Sequence, residues 1–411
     1  MLRLYHRLRD IHPALPQYLL AAALMAVCGG IFENTYNNYL YAEFRISPDA
    51  RGRLELIREF PGLMNVFLMG ALAFLAETRV AALAAFITAV GLIGFAVRGD
   101  HWGLMLAFTL LWGAGSHLLM PIGNSLTMSF GGETKRGRRL GQVGAVSTIG
   151  SIIGAAIVWA FFRMGRASAG GEARVAELAK WQFNATFMLA ALACIGAGIL
   201  YLRMRNVGQQ TSRTPFVLRR KYWLYYVLNV LFGARKQVFI TFGRWVLVTV
   251  FFQTPTTFAQ IWIVASAIGI WFNPLLGRMV DRLGERTVLI IDSFVMMLVC
   301  FIYGGAEHLG LSRAAATYLV MGCFMLDQLF FATGMARETY LAKIARSKDD
   351  LTATLSMGVT INHLIAATIP TLGGWAWHKY GYEYVFAGAG VVAVMLLVFS
   401  AMIPRRSPAA T

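Results

Sequence analysis

Ionisable side chains lie near the middle of four long apolar stretches: Glu33, His117, the adjacent pair Arg235 and Lys236, and Asp327. A charge at the centre of a bilayer costs at least ~2.5–3.5 kcal/mol on insertion scales, so such residues face a partner or a water-filled cavity. Carboxylates and imidazoles can bind and release protons, and a guanidinium favours carboxylate or phosphate groups. These stretches are the first, fourth, seventh and tenth along the chain, which predicts one polar route through a membrane protein.

The composition is typical of a chain embedded in lipid. Of its 411 residues, 57% are hydrophobic and 14% are charged, whereas soluble domains have about 45–50% apolar and about 25% charged residues. The formal charge of +17 would suggest nucleic-acid binding in a soluble protein. Here the basic residues gather in alternate loops between apolar stretches, so we expect no nucleic-acid partner.

Length and helix breakers predict twelve membrane-spanning helices. The segments on the side of the termini carry 23 of the 37 Lys and Arg residues, and the positive-inside rule therefore places both termini in the cytoplasm. The basic residues Arg3, Arg7 and Arg9 precede a first span that we expect to be an uncleaved anchor. The predicted spans are 16–42, 54–76, 79–98, 102–129, 140–163, 182–203, 222–252, 258–279, 287–305, 314–337, 351–377 and 383–403.

The chain is predicted to consist of two related halves. A six-helix bundle over 1–203 and another over 222–411 flank a basic linker, 204–221, expected to lie on anionic lipid headgroups rather than to bind a specific partner. Gly144-Ala-Val-Ser-Thr-Ile parallels Gly358-Val-Thr-Ile-Asn-His, and the segments after Gly30 and Gly233 also correspond. Weak internal symmetry of this kind indicates a repeat-built transporter with a binding site between the repeats.

The stretch Gly-Arg-Met-Val-Asp-Arg-Leu-Gly-Glu-Arg, from Gly277 to Arg286, resembles the Gly-x-x-x-Asp-Arg-x-Gly-x-Arg loop of the major facilitator superfamily. In that family the loop helps hold one conformation closed, so the resemblance implies a gating role for Asp281, Arg282 and Arg286. On physical grounds, Gly277 would let two helices approach and Gly284 suits a tight turn.

The resemblance implies an all-α membrane protein with two pseudo-symmetric six-helix bundles and both termini cytoplasmic. It also implies that spans one, four, seven and ten line a central cavity, where the ionisable residues described above lie. The loop after span two departs from the pattern: Gly70 and Arg79 match, whereas Phe74 stands in place of the aspartate.

Span one carries a polar helical face around Glu33, which we interpret as lining the cavity, with hydrogen bonds between helices as the alternative. Glu33 is the best candidate for a proton-binding carboxylate, and the alternative is a permanent ion pair with Arg235 or Lys236. The other members of this face are Asn34, Asn37, Asn38 and Tyr41.

Arg235 and Lys236 project about 100° apart, so we expect one to face the cavity and the other to meet Asp327 or Glu33. A cavity-facing guanidinium would favour an anionic or zwitterionic substrate, and charge balance among the buried groups is the alternative. His117 is a candidate proton relay or a packing residue. Further candidate cavity residues, which could equally hydrogen-bond helices together, are Asn124, Gln328, Asn362 and His363.

Several other charged and small residues are given structural roles. Arg58 and Glu59 are predicted to form a local ion pair. Arg337, Glu338 and Arg244 are expected to reach the membrane interface from span ends, and Asp292 is expected to be shallow and to pair with the gating loop. Close helix contacts are predicted at Gly150-x-x-x-Gly154 and at Gly373–Gly374. Cys28, Cys194, Cys300 and Cys323 fit no metal or disulfide spacing and are expected to be buried.

These features favour a monomeric secondary active transporter of the cell membrane. It would move a small organic solute by alternating access and with proton coupling, and a cavity-facing Arg235 would favour an anionic or zwitterionic solute. The alternatives are a multidrug-type exporter of amphipathic compounds and a non-transporting receptor or scaffold. Nucleotide-binding, metalloprotease and serine-hydrolase motifs do not occur in the sequence, so we expect no enzyme activity, no cofactor and no metal.

Overall fold

The computed structural model describes residues 12–130, 136–164, 171–176, 178–204 and 218–405, and every regular element in these ranges is helical. Arg3, Arg7, Arg9 and most of the predicted linker, 205–217, lie outside the described residues.

The helices of the first half follow one another through short connections. They are α1 (Leu15–Phe44), α2 (Pro48–Leu63), α3 (Asn65–Ala71), α4 (Glu77–Arg98), α5 (Trp102–Ser129), α6 (Arg136–Met164), α7 (Gly171–Ala176) and α8 (Lys180–Arg203).

The second half begins with a 3-10 turn, Arg220–Tyr222, and contains two interrupted helices. A π-helical segment, Phe239–Gly243, separates α9 from α10, and a 3-10 turn, Phe331–Thr333, separates α13 from α14. The helices are α9 (Trp223–Val238), α10 (Arg244–Thr249), α11 (Pro255–Leu283), α12 (Glu285–Gly305), α13 (Arg313–Phe330), α14 (Gly334–Ile344), α15 (Lys348–Tyr380) and α16 (Tyr382–Ala401).

Among the described residues, ten helices are long and apolar enough to cross a membrane. Predicted span two is divided into α2 and α3, and predicted span seven into α9, the π-helical segment and α10. In span two, Pro61 lies inside α2, where it removes a backbone hydrogen bond, and the helix ends shortly after it. The count of twelve spans stays a prediction.

The chain divides into two compact units that differ slightly from the predicted halves. Unit 1 comprises residues 1–45, 57–212 and 252–263, and unit 2 comprises 46–56, 213–251 and 264–411. The first residues of α2 are therefore grouped with unit 2, and the first residues of α11 with unit 1.

In unit 1, α1 and α6 cross at glycine-to-backbone contacts. A Cβ at Gly30 would clash with the carbonyl oxygen of Ser151, and Cβ atoms at Gly150 and Gly154 would clash with carbonyl oxygens of α1. The backbones can approach this closely only because these residues have no side chain. The contact predicted at Gly150-x-x-x-Gly154 is confirmed.

In unit 2, the first turns of α2 pack against α15 in a similar way. A Cβ at Gly52 would clash with the carbonyl oxygen of Pro370, and one at Gly374 would clash with that of Pro48. Next to this crossing, Arg51 and Glu55 form an almost completely buried ion pair of 2.7 Å. The close contact predicted at Gly373–Gly374 is confirmed.

The carboxylate of Asp350, at the start of α15, binds residues at the start of the second half. Asp350 lies 2.7 Å from Arg219 and also accepts hydrogen bonds from Lys221 and Tyr222. The hydrogen bond from Lys221 to this carboxylate raises the pKa of the ammonium, so that both groups are charged at neutral pH. All four cysteines are buried thiols, as predicted.

Replacing Gly154 by alanine is expected to lower the thermal unfolding midpoint of the purified protein, because the new methyl group meets the backbone of α1. Overpacking of this kind costs about 1–3 kcal/mol. Gly144→Ala is the matched control, since a Cβ there meets open space on the same helix and raises helix propensity equally. Equal midpoints for the two variants would contradict the tight crossing.

Candidate functional site

The polar face of α1 is mostly buried in unit 1. Asn34, Asn37 and Asn38 are at most 5% exposed, and Glu33 is half-buried. The Asn34 amide donates to the carbonyl oxygen of Gly30, one turn earlier in its own helix, over 2.6 Å. The Asn38 amide donates over 2.7 Å to the carbonyl oxygen of Gln253, which belongs to the same unit. Asn38 therefore ties α1 to another segment of the unit, whereas the Asn34 bond stays within α1 and is not the contact between helices that was the alternative to cavity lining.

Glu59 joins two candidate residues of unit 1. Its carboxylate lies 2.9 Å from Arg58 and 3.5 Å from Nε2 of His117, and the three side chains are largely buried. The predicted Arg58–Glu59 ion pair is confirmed. The contact with His117 was not anticipated, although an acidic residue within an apolar stretch is a signal that such a partner exists.

The remaining candidates of unit 1 are more open. Asn124 is exposed, so it is placed to line a cavity or to face the surroundings of the helix. Tyr41 donates a hydrogen bond of 3.1 Å to Glu172, which also forms an ion pair with Arg45.

In unit 2, Arg235 and Asp327 form a buried ion pair. Nη1 of Arg235 donates to Oδ1 of Asp327, and the two residues are 0% and 2% exposed. Gln328 lies 3.4 Å from the other carboxylate oxygen. Lys236 projects elsewhere and places its ammonium 5.0 Å from the ring centroid of Phe331. One of the two adjacent cations therefore meets Asp327, as expected, and for Arg235 the alternative of internal charge balance holds.

Asp292 and Arg337 have partners that the sequence interpretation did not predict. Asp292 is fully buried and accepts a hydrogen bond of 3.0 Å from Thr333, which does not belong to the gating loop; its shallow position in the membrane stays a prediction. Arg337 is 7% exposed and its guanidinium lies 3.4 Å from the ring centroid of Phe232. The reason is that the helical segment beginning at Arg313 continues to Ile344, so Arg337 lies well inside it.

Arg244 was also expected to reach the interface, and that expectation is wrong. Arg244 is only 8% exposed, and its guanidinium lies 6.0 Å from the ring centroid of Phe324. Glu338, by contrast, is exposed.

Asn362 links two helices of unit 2. Its amide donates to the side-chain oxygen of Asn229 over 3.3 Å, and Asn229 donates over 2.9 Å to the carbonyl oxygen of Gly358. The chain of hydrogen bonds holds α9 against α15. His363, the next residue, is half-buried.

The predicted gating loop forms the turn between α11 and α12. Gly284 has φ +83°, a conformation that strongly favours glycine, which confirms the tight turn. A Cβ at Gly277 would meet open space among the described residues, so the close helix approach predicted there is wrong. Asp281 and Arg282 are exposed and Arg286 is half-buried. Beside the turn, Glu285 forms an ion pair with Lys343 that the sequence reading missed.

Comparison with known proteins identifies the architecture. No protein-family model and no curated protein matches the sequence. A mutant of the nucleoside transporter NupG, at 13% identity, superposes with a TM-score of 0.76 over 94% of this chain and 99% of that one. The chain has the major facilitator fold.

Further solved structures with this fold also span nearly the whole chain. A bacterial homologue of the human lysosomal transporter Spinster, in an inward-facing and occupied conformation, is 15% identical, with a TM-score of 0.70 over 95% of this chain and 98% of that one. A POT family transporter in complex with a thioalcohol-conjugated peptide is 13% identical, with a TM-score of 0.71 over 97% of each chain. The major facilitator fold implied by the gating loop is confirmed.

Breaking the buried pair from either side is expected to destabilise the protein. Arg235→Gln or Asp327→Asn leaves one buried charge uncompensated, at a cost of about 3–5 kcal/mol in the free energy of unfolding. The double variant should cost less than the two single changes together. Unfolding is followed by thermal or denaturant melts of the purified protein.

The matched control is Glu307→Gln, which removes the partner of Arg313 in a pair whose side chains are 33% and 53% exposed. Such pairs contribute at most about 1 kcal/mol. Single variants at Arg235 and Asp327 that melt like this control would show that the buried pair is not structurally important.

Proposed function

We propose that the chain is a secondary active transporter that moves a small organic solute by alternating access and couples this movement to protons. The observation that carries the proposal is the Arg235–Asp327 pair, an ionisable pair buried in a major facilitator fold. Buried ionisable residues in membrane helices are expensive and commonly serve substrate or proton pathways. Solved structures of the same fold include proteins named as nucleoside, sugar–proton and POT family transporters.

Twelve spans with cytoplasmic termini are part of the proposal. The segments Pro48–Ala71 and Trp223–Thr249, each interrupted, would add two spans to the ten continuous ones. At 1.5 Å per residue they reach roughly 36 Å and 40 Å, which is enough for a hydrocarbon core about 30 Å thick. The excess of Lys and Arg on the side of the termini supports the orientation.

Proton coupling follows from what protonation would do to the pair. An ionised Asp327 holds Arg235 through a charge-assisted hydrogen bond. A neutral carboxylic acid would lose most of that attraction, so that the guanidinium could move or bind another acceptor. Protonation of Asp327 thereby changes the contacts between α9 and α13, which is the kind of two-state element that alternating access requires.

Protonation of Asp327 would also favour an anionic or zwitterionic solute. With Asp327 neutral, Arg235 has one uncompensated positive charge, and a solute carboxylate or phosphate is a suitable partner for a guanidinium. Lys236, half-buried beside Phe331, adds a second cation nearby.

The first test is a thermal-shift screen of the purified protein against nucleosides, sugars, short peptides, organic acids and amphipathic cations. A ligand at 100 times its dissociation constant stabilises the folded state by about 2.7 kcal/mol. We expect stabilisation by a carboxylate- or phosphate-bearing solute more than by its neutral analogue. Stabilisation by amphipathic cations alone would favour the multidrug-type exporter instead.

Transport is then tested by counterflow in proteoliposomes loaded with the unlabelled form of the stabilising solute. Labelled solute should accumulate transiently, and protein-free liposomes are the control. Binding without counterflow would contradict the transporter proposal and favour a receptor.

A further inference from the structure

Two buried arginines of unit 2 contact one aromatic ring, and two buried carboxylates interact with these arginines. The guanidinium carbons of Arg337 and Arg235 lie 3.4 Å and 5.2 Å from the ring centroid of Phe232. Asp327 bonds Arg235, and Asp292 interacts electrostatically with both arginines and with Asp327. With both carboxylates ionised, the two positive and two negative charges cancel.

The network contains two possible ion pairs, Arg235–Asp327 and Arg337–Asp292, which differ in their direct contacts. Arg235 and Asp327 are in direct contact, whereas the ion pairs of the described residues include none between Arg337 and a carboxylate within 4.0 Å. Oδ1 of Asp292 accepts from Thr333, but its buried Oδ2 has no hydrogen-bond donor in the described part of the chain. The buried Nε and Nη1 of Arg337 have no hydrogen-bond acceptor in the same described residues. The buried Nε and Nη2 of Arg235 also have no acceptor among these residues, so the two pairs differ only in direct contact. Arg235 bonds Asp327, whereas Arg337 and Asp292 are not bonded although a donor and an acceptor are available.

The backbone around the network is interrupted on two sides. The 3-10 turn Phe331–Thr333 carries Thr333 to Asp292 and begins the segment that holds Arg337. The π-helical segment Phe239–Gly243 begins one turn after Arg235. Interruptions of this kind in long helices often mark hinges and functional sites, and here they lie next to the arginines that would have to move.

Arg235 and Arg337 are the cations that act electrostatically on Asp292. α16, which packs along α12, has Glu383 as its only acidic or basic residue, and Glu383 lies 3.8 Å from His308 beyond the far end of α12. No competing cation therefore comes from that helix. The remaining ionisable groups that interact with members of the network are Lys236, Tyr225, Cys300, Tyr303 and Glu338.

We propose that Asp292 is a second proton-binding carboxylate of this chain, for which Arg337 and Arg235 compete. This proposal rests on the proton-coupled transport proposed above. Ionised Asp292 accepts a hydrogen bond at Oδ2 from Arg337, which closes the second pair. When Oδ2 takes a proton from water, the carboxylate becomes a neutral acid, the charge of the network rises from zero to +1, and Arg337 is released. The proton returns to water when the pair closes again.

The test compares the thermal unfolding midpoints of wild type and Asp292→Asn in purified full-length protein from about pH 5 to pH 8. An amide and a protonated carboxyl group are both neutral and nearly isosteric. The difference between the two midpoints should therefore shrink as the pH falls and Asp292 takes up its proton. A difference that is constant over the whole range would overturn the proposal. Glu307→Gln is the matched control, for which we expect a constant difference.

Two further variants separate proton binding from a purely structural role. Arg337→Gln removes a cation that favours the ionised form, so the pH at which the difference changes should move upwards. Asp327→Asn removes a competing carboxylate and frees Arg235 for Asp292. In that variant background, the pH at which the midpoint difference changes should therefore move downwards. Shifts in the same direction, or no shifts, would contradict competition for Asp292.

If Asp292→Asn does not fold, the comparison is made between Arg337→Gln and the double variant Asp292→Asn/Arg337→Gln, which leaves the Arg235–Asp327 pair balanced. A midpoint difference that varies with pH supports the proposal, and a constant difference overturns it. These measurements need no solute, so their failure is distinct from a failure of transport.

Discussion

An ion buried among apolar helices costs several kcal/mol unless an opposite charge and hydrogen bonds compensate it. Four buried charges lie on four helices of unit 2, namely α9, α12, α13 and α14, and they balance only as a set: Arg235, Asp292, Asp327 and Arg337. Of these, Arg235 and Asp327 bond directly, so moving α9 or α13 would separate a cation from its carboxylate. The balance therefore restricts the packing of unit 2, and under the proposals above a single proton would alter it.

Both units contain a helix crossing fixed by glycine-to-backbone contacts, at Gly30, Gly150 and Gly154 in unit 1 and at Gly52 and Gly374 in unit 2. In unit 2, the charged helices are in addition interrupted by π and 3-10 segments beside Arg235 and Arg337. Under the proposals above, a proton that alters the charge network would act beside these interruptions.

The sequence was sufficient for features that depend on local patterns. Apolar length located the ten continuous helices of membrane-spanning length, and small-residue spacing predicted a close helix contact at Gly150 and Gly154 without naming its partner. The adjacent opposite charges of Arg58 and Glu59 indicated their pair. A buried partner for Arg235 could also be expected, because no cation is stable alone in an apolar bundle.

Features that depend on where a helix faces or ends could not be predicted in this way. Arg337 was placed at a span end because the apolar stretch fades there, whereas the helix continues beyond it to Ile344. Asp292 lies in the second turn of α12 and only tertiary packing shows that it points inward. Gly277 belongs to a motif, but a motif does not specify which neighbour approaches in this structure.

We propose that the buried charge balance of unit 2 couples proton movement to solute movement. The most direct test of this proposal is uptake of the stabilising solute into proteoliposomes with and without an imposed pH gradient, for wild type and Asp327→Asn. We predict that the gradient changes the rate of wild-type uptake and changes that of the variant less, because the variant keeps only Asp292 as a proton-binding carboxylate, while solute exchange persists. Wild-type rates that are equal with and without the gradient would contradict the account.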